Sequence, residues 1–366
     1  MLNGIDIPAV RSTAFYSSVA ADVWHAQTDA KAYEWWHFDA LSDDGREALV
    51  IVFTDNYVFS PRYAAAAKSN VVNLSDGRPI APPRFPAVSF LYSVDGKAVF
   101  RTTSEFPSRQ FSGKNDSAGC TIGASSFHVD SASYGNGYMV TIDIPLGLNR
   151  RLTGSFEWLS IESDLMPADG NGAASSWNMV APRSDVSGKI EFTGKNGNSK
   201  KLVHFRGTGY HDHISGSQAF HRATHSRQWG RAHYVDSTAV FSIQNDVAAE
   251  APTAKLLLVR DGKVHERIAR CDDRLHRRSK FGIKYPARLS FATDDNIRLR
   301  VKAVKLIDSG FYSIRFLSEM TLMLRDGKPR KTIGIMEYMA TKNIKYRVFR
   351  WFSDLQIGRN GKAPVF

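Results

Sequence analysis

Val88–Val94 (VSFLYSV) runs into Asp95-Gly96, and an apolar stretch resumes at Ala98–Thr102. Asp-Gly between two such runs is a strong hairpin signal, because both turn residues then take positive φ at low cost. The same grammar extends in both directions. Upstream, Ala48–Thr54 (ALVIVFT) is a continuous apolar run, as in a strand buried on both faces. Downstream, Tyr138–Ile144, Leu152–Ile161, and Ser187–Thr193 turning at Gly194–Asn198 into Lys201–Phe205 are further strands. Lys255–Val259 closes on Asp261-Gly262. Ala287–Ala292, Ile297–Val304, Tyr312–Leu317 and Thr321–Leu324 follow, the last turning at Asp326-Gly327 into Lys331–Met339. Short strands with turn signals at this spacing argue for barrels or sandwiches. Long amphipathic helices are scarce. Pro61–Lys68 and Thr341–Phe352 (TKNIKYRVFRWF) can each form a short one, and a final helix packed on a barrel suits a calycin-type module.

A chain of 366 residues predicts two domains, with one large β domain as the competitor. Asn245–Pro252 and Ser215–Thr224 are the two places that can divide it. The division expected is 1–216 and 217–366. Hydrophobic residues at 43% and charged residues at 23% suffice for a sizeable core. Cys120 and Cys271 give neither a disulfide framework nor a zinc spacing. No positively charged start leads into an apolar segment, so the expectation is a cytoplasmic protein without a signal peptide. No run of about 18 apolar residues spans a membrane.

The net charge of +12 is unevenly placed. From Lys255 onward there are 26 Lys and Arg against 11 Asp and Glu; the first 254 residues hold 22 against 25. The excess therefore lies in the last third, which suits an anionic partner such as a membrane surface, or a solvated face. No recognised nucleic-acid module accompanies it, and no nucleic-acid partner is expected. Walker A, GxSxG, HExxH and helix-opening GxGxxG patterns are absent, which weighs against nucleotide-dependent and metalloprotease chemistry.

Lys201–Tyr234 is the densest chemical region, with His204, His211, His213, His221, His225 and His233. At its centre is Gly207-Thr208-Gly209-Tyr210-His211-Asp212-His213. In a strand, His211 and His213 share one face while Tyr210 and Asp212 share the other. Two such histidines can be metal ligands, but the spacing is no recognised zinc pattern, and histidines satisfied by hydrogen bonds are the plainer expectation. A desolvated Asp212 can act as an acid, or it can be a structural tie between strands. A second constellation is Tyr33-Glu34-Trp35-Trp36-His37-Phe38-Asp39-Ala40, with Tyr33, Trp35 and His37 on one face and Glu34, Trp36 and Phe38 on the other. Its aromatics can stabilise a cation or simply fill a core. A third, Arg227-Gln228-Trp229-Gly230-Arg231-Ala232-His233-Tyr234, places Arg231 to pair with Asp212 or with Asp39.

Tyr33–Ala40, continuing through Leu41–Gly45 to Phe59-Ser60-Pro61-Arg62-Tyr63, resembles the N-terminal signature of carotenoid 1,2-hydratases, also called hydroxyneurosporene synthases. Gly207–His213 (GTGYHDH) and Gln228–Arg231 (QWGR) resemble the second block of the wider superfamily, which includes AttH-like proteins and, more distantly, fungal Diels–Alderases. The matched segments cover about one sixth of the chain. This resemblance implies an all-β fold of two lipocalin-like antiparallel barrel modules with a pocket near their junction. It also implies hydro-lyase activity: cofactor-free addition of water across an isoprenoid double bond, with no metal. Asp212 falls at the acid position, with His211 or His213 holding water or tuning it. Trp35, Trp36, Tyr210 and Trp229 would form an aromatic wall, with Tyr33 and Arg231 also at the substrate. The ligand would be a large apolar isoprenoid or polyene, and the basic last third would offer a peripheral contact with an anionic membrane. Two alternatives stand beside this: a cofactor-free cyclase or isomerase of a polyene secondary metabolite, and a non-catalytic isoprenoid-binding protein. After the His-Asp-His triplet the chain reads Ile214-Ser215-Gly216, which suits the general superfamily better than the hydratases.

Overall fold

A computed structural model describes residues 13–68, 74–75, 78–79, 83–132, 135–147, 149–168, 175–194, 200–325 and 327–362. Its architecture is that of two curled sheets, all-β as the strand pattern predicts and in two modules as the resemblance implies. The first, of twelve strands, runs in the order Lys97–Glu105, Ala87–Val94, Glu47–Thr54, Tyr33–Ser42, Lys200–Gly216, Ser175–Thr193, Arg150–Glu162, Gly135–Leu146, Ser125–Ala132, Gly119–Ile122 and Phe111–Gly113. Ala14–Tyr16 adds a short parallel pairing to Ser175–Thr193; the other pairings are antiparallel. The second sheet has nine strands, in the order Lys263–Ile268, Thr253–Arg260, Thr238–Asp246, Thr224–His233, Pro329–Met339, Ser313–Met323, Arg298–Ser309, Lys284–Ala292 and Arg270–Arg278. Asn245–Pro252, one of the two candidate divisions, joins hydrogen-bonded neighbours within this second sheet and so is no linker between modules.

Two Asp-Gly hairpins form as the sequence predicts. Asp95 and Gly96 have φ of 50° and 78°, Asp261 and Gly262 of 51° and 69°, the left-handed pair that matches strand twist. The Gly194–Asn198 turn and the Asp326-Gly327 turn lie partly outside the described residues. Among the described residues the helices are short: Pro61–Ala66, Phe220–Ala223 and Arg347–Gln356. Thr341–Phe352 does not form one helix. A 3-10 turn over Thr341–Lys345 ends at extended Tyr346, and the α-helix starts at Arg347.

Each sheet curls around its own core, and the two lean against each other. Alternation along Tyr33–Ser42 sends Trp36, Phe38 and Ala40 into the first core, with Leu49, Ile51, Phe53 and Trp158. The intervening Tyr33 and Trp35 meet Trp229, Val240 and Leu257 of the second sheet. The strand is therefore buried on both faces from Tyr33 through Leu41. Its partner carries the Gly207–His213 block, with His37 opposite Asp212 and Asp39 opposite Tyr210.

The glycines of that block serve close packing. A Cβ on Gly207 would collide with the Leu41 carbonyl, and one on Gly209 would sit 2.5 Å from both Trp158 Nε1 and Val186 Cγ2. Gly207→Ala is expected to cost about 3 kcal/mol, the upper end for overpacking, because its obstacle is backbone. A urea midpoint matching wild type would contradict this.

Candidate active site

The faces that the two sheets turn toward each other do not fill the space between them. A narrow cavity with about 100 Å³ of free space remains. From the first sheet come Trp35, His37, Val50, Val52, Asp212 and Ile214; from the second come Arg227, Trp229, Arg315, Glu337 and Met339. One wall is apolar and aromatic. Across the cavity runs a chain of ion pairs from Arg101 of the first sheet to Asp308, Arg315 and Glu337 of the second. Arg101 Nε lies 2.7 Å from Asp308, Arg315 lies 3.7 Å from Asp308 and 3.0 Å from Glu337, and Trp229 Nε1 donates to Glu337 Oε2 at 3.1 Å. The last bond fixes the Trp229 ring, which meets His37 edge-on at 5.1 Å.

Among the described residues, Asp212 keeps one carboxylate oxygen in this cavity without a hydrogen-bond partner or a close ion pair. Its Oδ2 accepts from Trp177 Nε1 at 2.8 Å and from the Tyr210 hydroxyl at 3.0 Å. Its Oδ1 has no hydrogen-bond partner among the described residues, and His37 Nδ1 lies 3.9 Å away. Burial pushes the carboxyl up to about 6, although Arg227, Trp177 and Tyr210 pull the other way. Arg227 lies over the Trp177 ring at 4.6 Å. Burial, with Arg315, His211 and Arg231, holds His37 well below its ordinary value, so its ring is neutral. The arrangement can deliver a proton from Asp212 Oδ1 into an apolar space and hold a small polar molecule against a neutral imidazole.

His211 and His213 are elsewhere. Strand alternation turns them into the first barrel, so neither lines the cavity to hold water there, while His211 is among the groups that lower the Asp212 pKa against burial. His211 Nε2 pairs with Asp22 Oδ2 at 3.0 Å, its Nδ1 faces the His37 carbonyl, and its ring stacks on Phe38 at 3.9 Å. His213 lies between Asp22 at 3.1 Å and Glu34 at 3.1 Å, and His25 closes on Glu34 at 2.8 Å. Tyr138 donates to Asp22. Ligand atoms of His25, Glu34 and His213 lie within 4.8 Å of one another, but each already has a partner of opposite charge or a hydrogen bond. Burial lowers the His213 pKa, yet the two carboxylates outweigh it and raise the ring to about 9. The linkage sign follows. This stabilisation is full below the ordinary pKa of about 6.5 and is lost as pH rises through about 9. Unfolding free energy should therefore decline over that alkaline window, and His213→Gln should remove most of the decline; an unchanged slope would refute the assignment.

Trp36 is also corrected. It is fully buried in the first core, stacked on His213 at 4.6 Å, and not in the cavity. Tyr33 stacks on Trp35 at 5.1 Å and borders a neighbouring cleft near Arg222 and Asp246, which shares Ile214 and Arg227 with the cavity. Tyr210 reaches the site through Asp212 and is not itself a cavity wall. Arg231 chooses Asp39, donating from Nε at 2.7 Å, and not Asp212. Trp35, Trp229 and Asp212 do come together in one cavity.

The profile of a family described as Carotenoid hydratase CrtC matches residues 121–362, about two thirds of the chain. The chain belongs to the carotenoid hydratase family. Trp177, Tyr210, Asp212, Arg227 and Trp229 lie inside the matched segment; Trp35 and His37 lie before it. A hydroxyneurosporene dehydrogenase of Chlorobaculum tepidum is 22% identical over 93% of this chain and 91% of its own length. Acyclic carotenoid 1,2-hydratases of Rubrivivax gelatinosus and Thiocapsa roseopersicina are 27% and 29% identical, over 56% and 64% of this chain. The alignments span about half of those two proteins, 46% and 53%. Among solved structures, a Nitrosomonas europaea protein described as an AttH superposes with a TM-score of 0.59, at 17% identity, over 85% of this chain and 93% of its own. Kievitone hydratase from Nectria haematococca gives 0.51, at 10% identity, over 91% and 99%. These likenesses establish a shared two-sheet, lipocalin-like fold.

The cavity residues that the sequence alone did not point to are Trp177, His37 in its contact with Asp212, and the Arg315–Glu337 pair. The pair left a legible trace. Arg315 interrupts Ile314-Arg315-Phe316-Leu317, and Glu337 interrupts Ile335-Met336-Glu337, and a charge inside an apolar strand calls for a partner. Trp177 left none.

Proposed function

We propose that this chain adds water to a terminal double bond of an acyclic, carotenoid-type polyene, with Asp212 as the general acid and no cofactor. What carries the reading is the divided carboxyl of Asp212: one oxygen held by Trp177 and Tyr210, the other unpartnered beside Trp35, Trp229 and neutral His37. The Asp212 proton passes to the chain-side CH carbon of the terminal alkene, and the π electrons form that C–H bond. The positive charge develops on the neighbouring tertiary carbon, faced by Trp35 and Trp229 and by the new Asp212 carboxylate. Water held by His37 attacks that carbon, and its surplus proton returns to Asp212, which closes the cycle. The narrow free space suits a chain end, not a whole polyene.

The acid must be protonated in the free enzyme, so kcat/KM is expected to fall as pH rises through about 6. The deciding experiment incubates the purified chain with an acyclic carotene in detergent micelles. A product heavier by one water, labelled from heavy-oxygen water and carrying one carbon-bound deuterium from heavy water, supports the reading. An isomer of unchanged mass, or a product lighter by two hydrogens, overturns it.

A further inference from the structure

The helix Arg347–Gln356 is mounted with its apolar stripe outward. Val348, Trp351, Phe352 and Leu355 fall at i, i+3, i+4 and i+7, the spacing that ordinarily faces a core. Here they are 54%, 61%, 41% and 55% exposed, and Tyr346 before them is 58% exposed. The face turned to the protein carries Phe349 and buried Ser353. The surroundings are basic. Lys342, Lys345 and Arg347 are exposed, and no carboxylate pairs with them among the described residues. Asp354, the acidic residue of the helix, is taken up by Arg62 and Arg359. A second basic segment adjoins: Phe281, beside exposed Lys280, packs on Phe311 at 4.6 Å, and Phe311 stacks on Phe352 at 5.6 Å. Cations at the start of a helix oppose its dipole, a cost that an external anionic layer would offset.

The helix also stands at a mouth. Ser353, Gln356 and the following Ile357 line a second cavity with Tyr57, Phe59 and Arg101, and these last three also line the Asp212 cavity.

We infer that this helix docks the protein on an anionic phospholipid bilayer, its apolar stripe in the acyl boundary and its basic rim on the phosphates, with the cavity mouth at the membrane. Trp, Phe and Leu on one face with Lys and Arg beside them is the composition of an interfacial helix. Basic residues at such a surface each strengthen binding to acidic lipid. Among the described residues no helix is long and apolar enough to cross a membrane, so the contact is peripheral. The docking stands on the helix alone; passage of a lipid-dissolved polyene from the mouth to Asp212 rests on the proposed hydration.

Flotation of the purified full chain with phosphatidylcholine–phosphatidylglycerol vesicles tests this. Wild type and Asp212→Asn should float equally, so loss of chemistry and loss of docking are separable. Trp351→Ser with Leu355→Ser should lower the partition coefficient about a hundredfold. Lys342→Glu with Lys345→Glu should lower it about tenfold or more on the acidic vesicles and abolish their advantage over pure phosphatidylcholine. The side chains substituted on the stripe and the basic rim are exposed, and unchanged thermal unfolding would show that the fold is kept. A wild type that stays with the lipid-free fraction overturns the inference. So does a stripe variant that floats like wild type, or a stripe whose loss instead halves the mass in sedimentation and so covers a second copy of this chain.

Discussion

Asp212→Asn is expected to lower the hydration rate by about a hundredfold to ten-thousandfold, the contribution of a positioned general acid, while leaving the fold and polyene binding in place. Asn keeps the shape of the side chain, and its amide oxygen can still accept from Trp177 Nε1 and Tyr210 at the Oδ2 position. What it lacks is an acidic proton on the other atom, because an amide N–H does not protonate an alkene. Single-turnover product formation and a separate binding titration would show the split. A rate within tenfold of wild type would remove Asp212 from the acid role. Trp177→Phe is the sharper companion. The Trp177 bond favours the charged carboxylate, so its loss should raise the Asp212 pKa further and move the falling limb of kcat/KM to higher pH. A purely structural Trp177 would change the amplitude and leave the limb where it is.

Asp39→Ala should be the most destabilising of the substitutions considered, by about 3–5 kcal/mol. Asp39 belongs to the first sheet and Arg231 to the second, and both are almost wholly buried. Burial raises the Asp39 carboxyl even against the attraction of Arg231, which indicates how little solvent shares the charge. Removing the carboxylate leaves a guanidinium between two packed sheets with no counterion. Replacing both partners, Asp39→Leu with Arg231→Met, removes the charge along with its partner and should recover most of the loss. Urea unfolding of the two single variants and the double variant would measure it. A single-variant cost below about 1 kcal/mol would mean that Arg231 finds water or another carboxylate, and that the pair does not join the modules.

The two substitutions probe different kinds of information. Strand alternation put Tyr210 and Asp212 on one face and His211 and His213 on the other, and the structure keeps that division. A period-2 backbone leaves no other outcome once the segment is a strand. The Asp-Gly hairpins were legible for the same local reason: turn chemistry acts within four residues. His211 and His213 accordingly point into the first barrel, and His211 acts on Asp212 only through its electrostatic influence on the carboxyl.

What lay beyond the sequence depends on pairings between distant segments. His37 faces Asp212 because Tyr33–Ser42 is the neighbour of Lys200–Gly216. Trp177 reaches Asp212 because Ser175–Thr193 lies on the other side of that strand. Nothing local specifies either neighbour, since sheet order is settled by how whole curled surfaces bury their apolar faces together. The same holds for the last helix. Its stripe at i, i+3, i+4 and i+7 could be read from the residues, but periodicity marks a face without saying where it points. Phe349 and Ser353 were the side chains that fitted against Phe311 and the cavity mouth, and that packing turned Trp351 and Leu355 outward. By itself the sequence determined many of the strands, the two Asp-Gly turns at 95–96 and 261–262 and the face each strand side chain takes; only the tertiary structure decided which faces meet, because that choice is made by non-local burial.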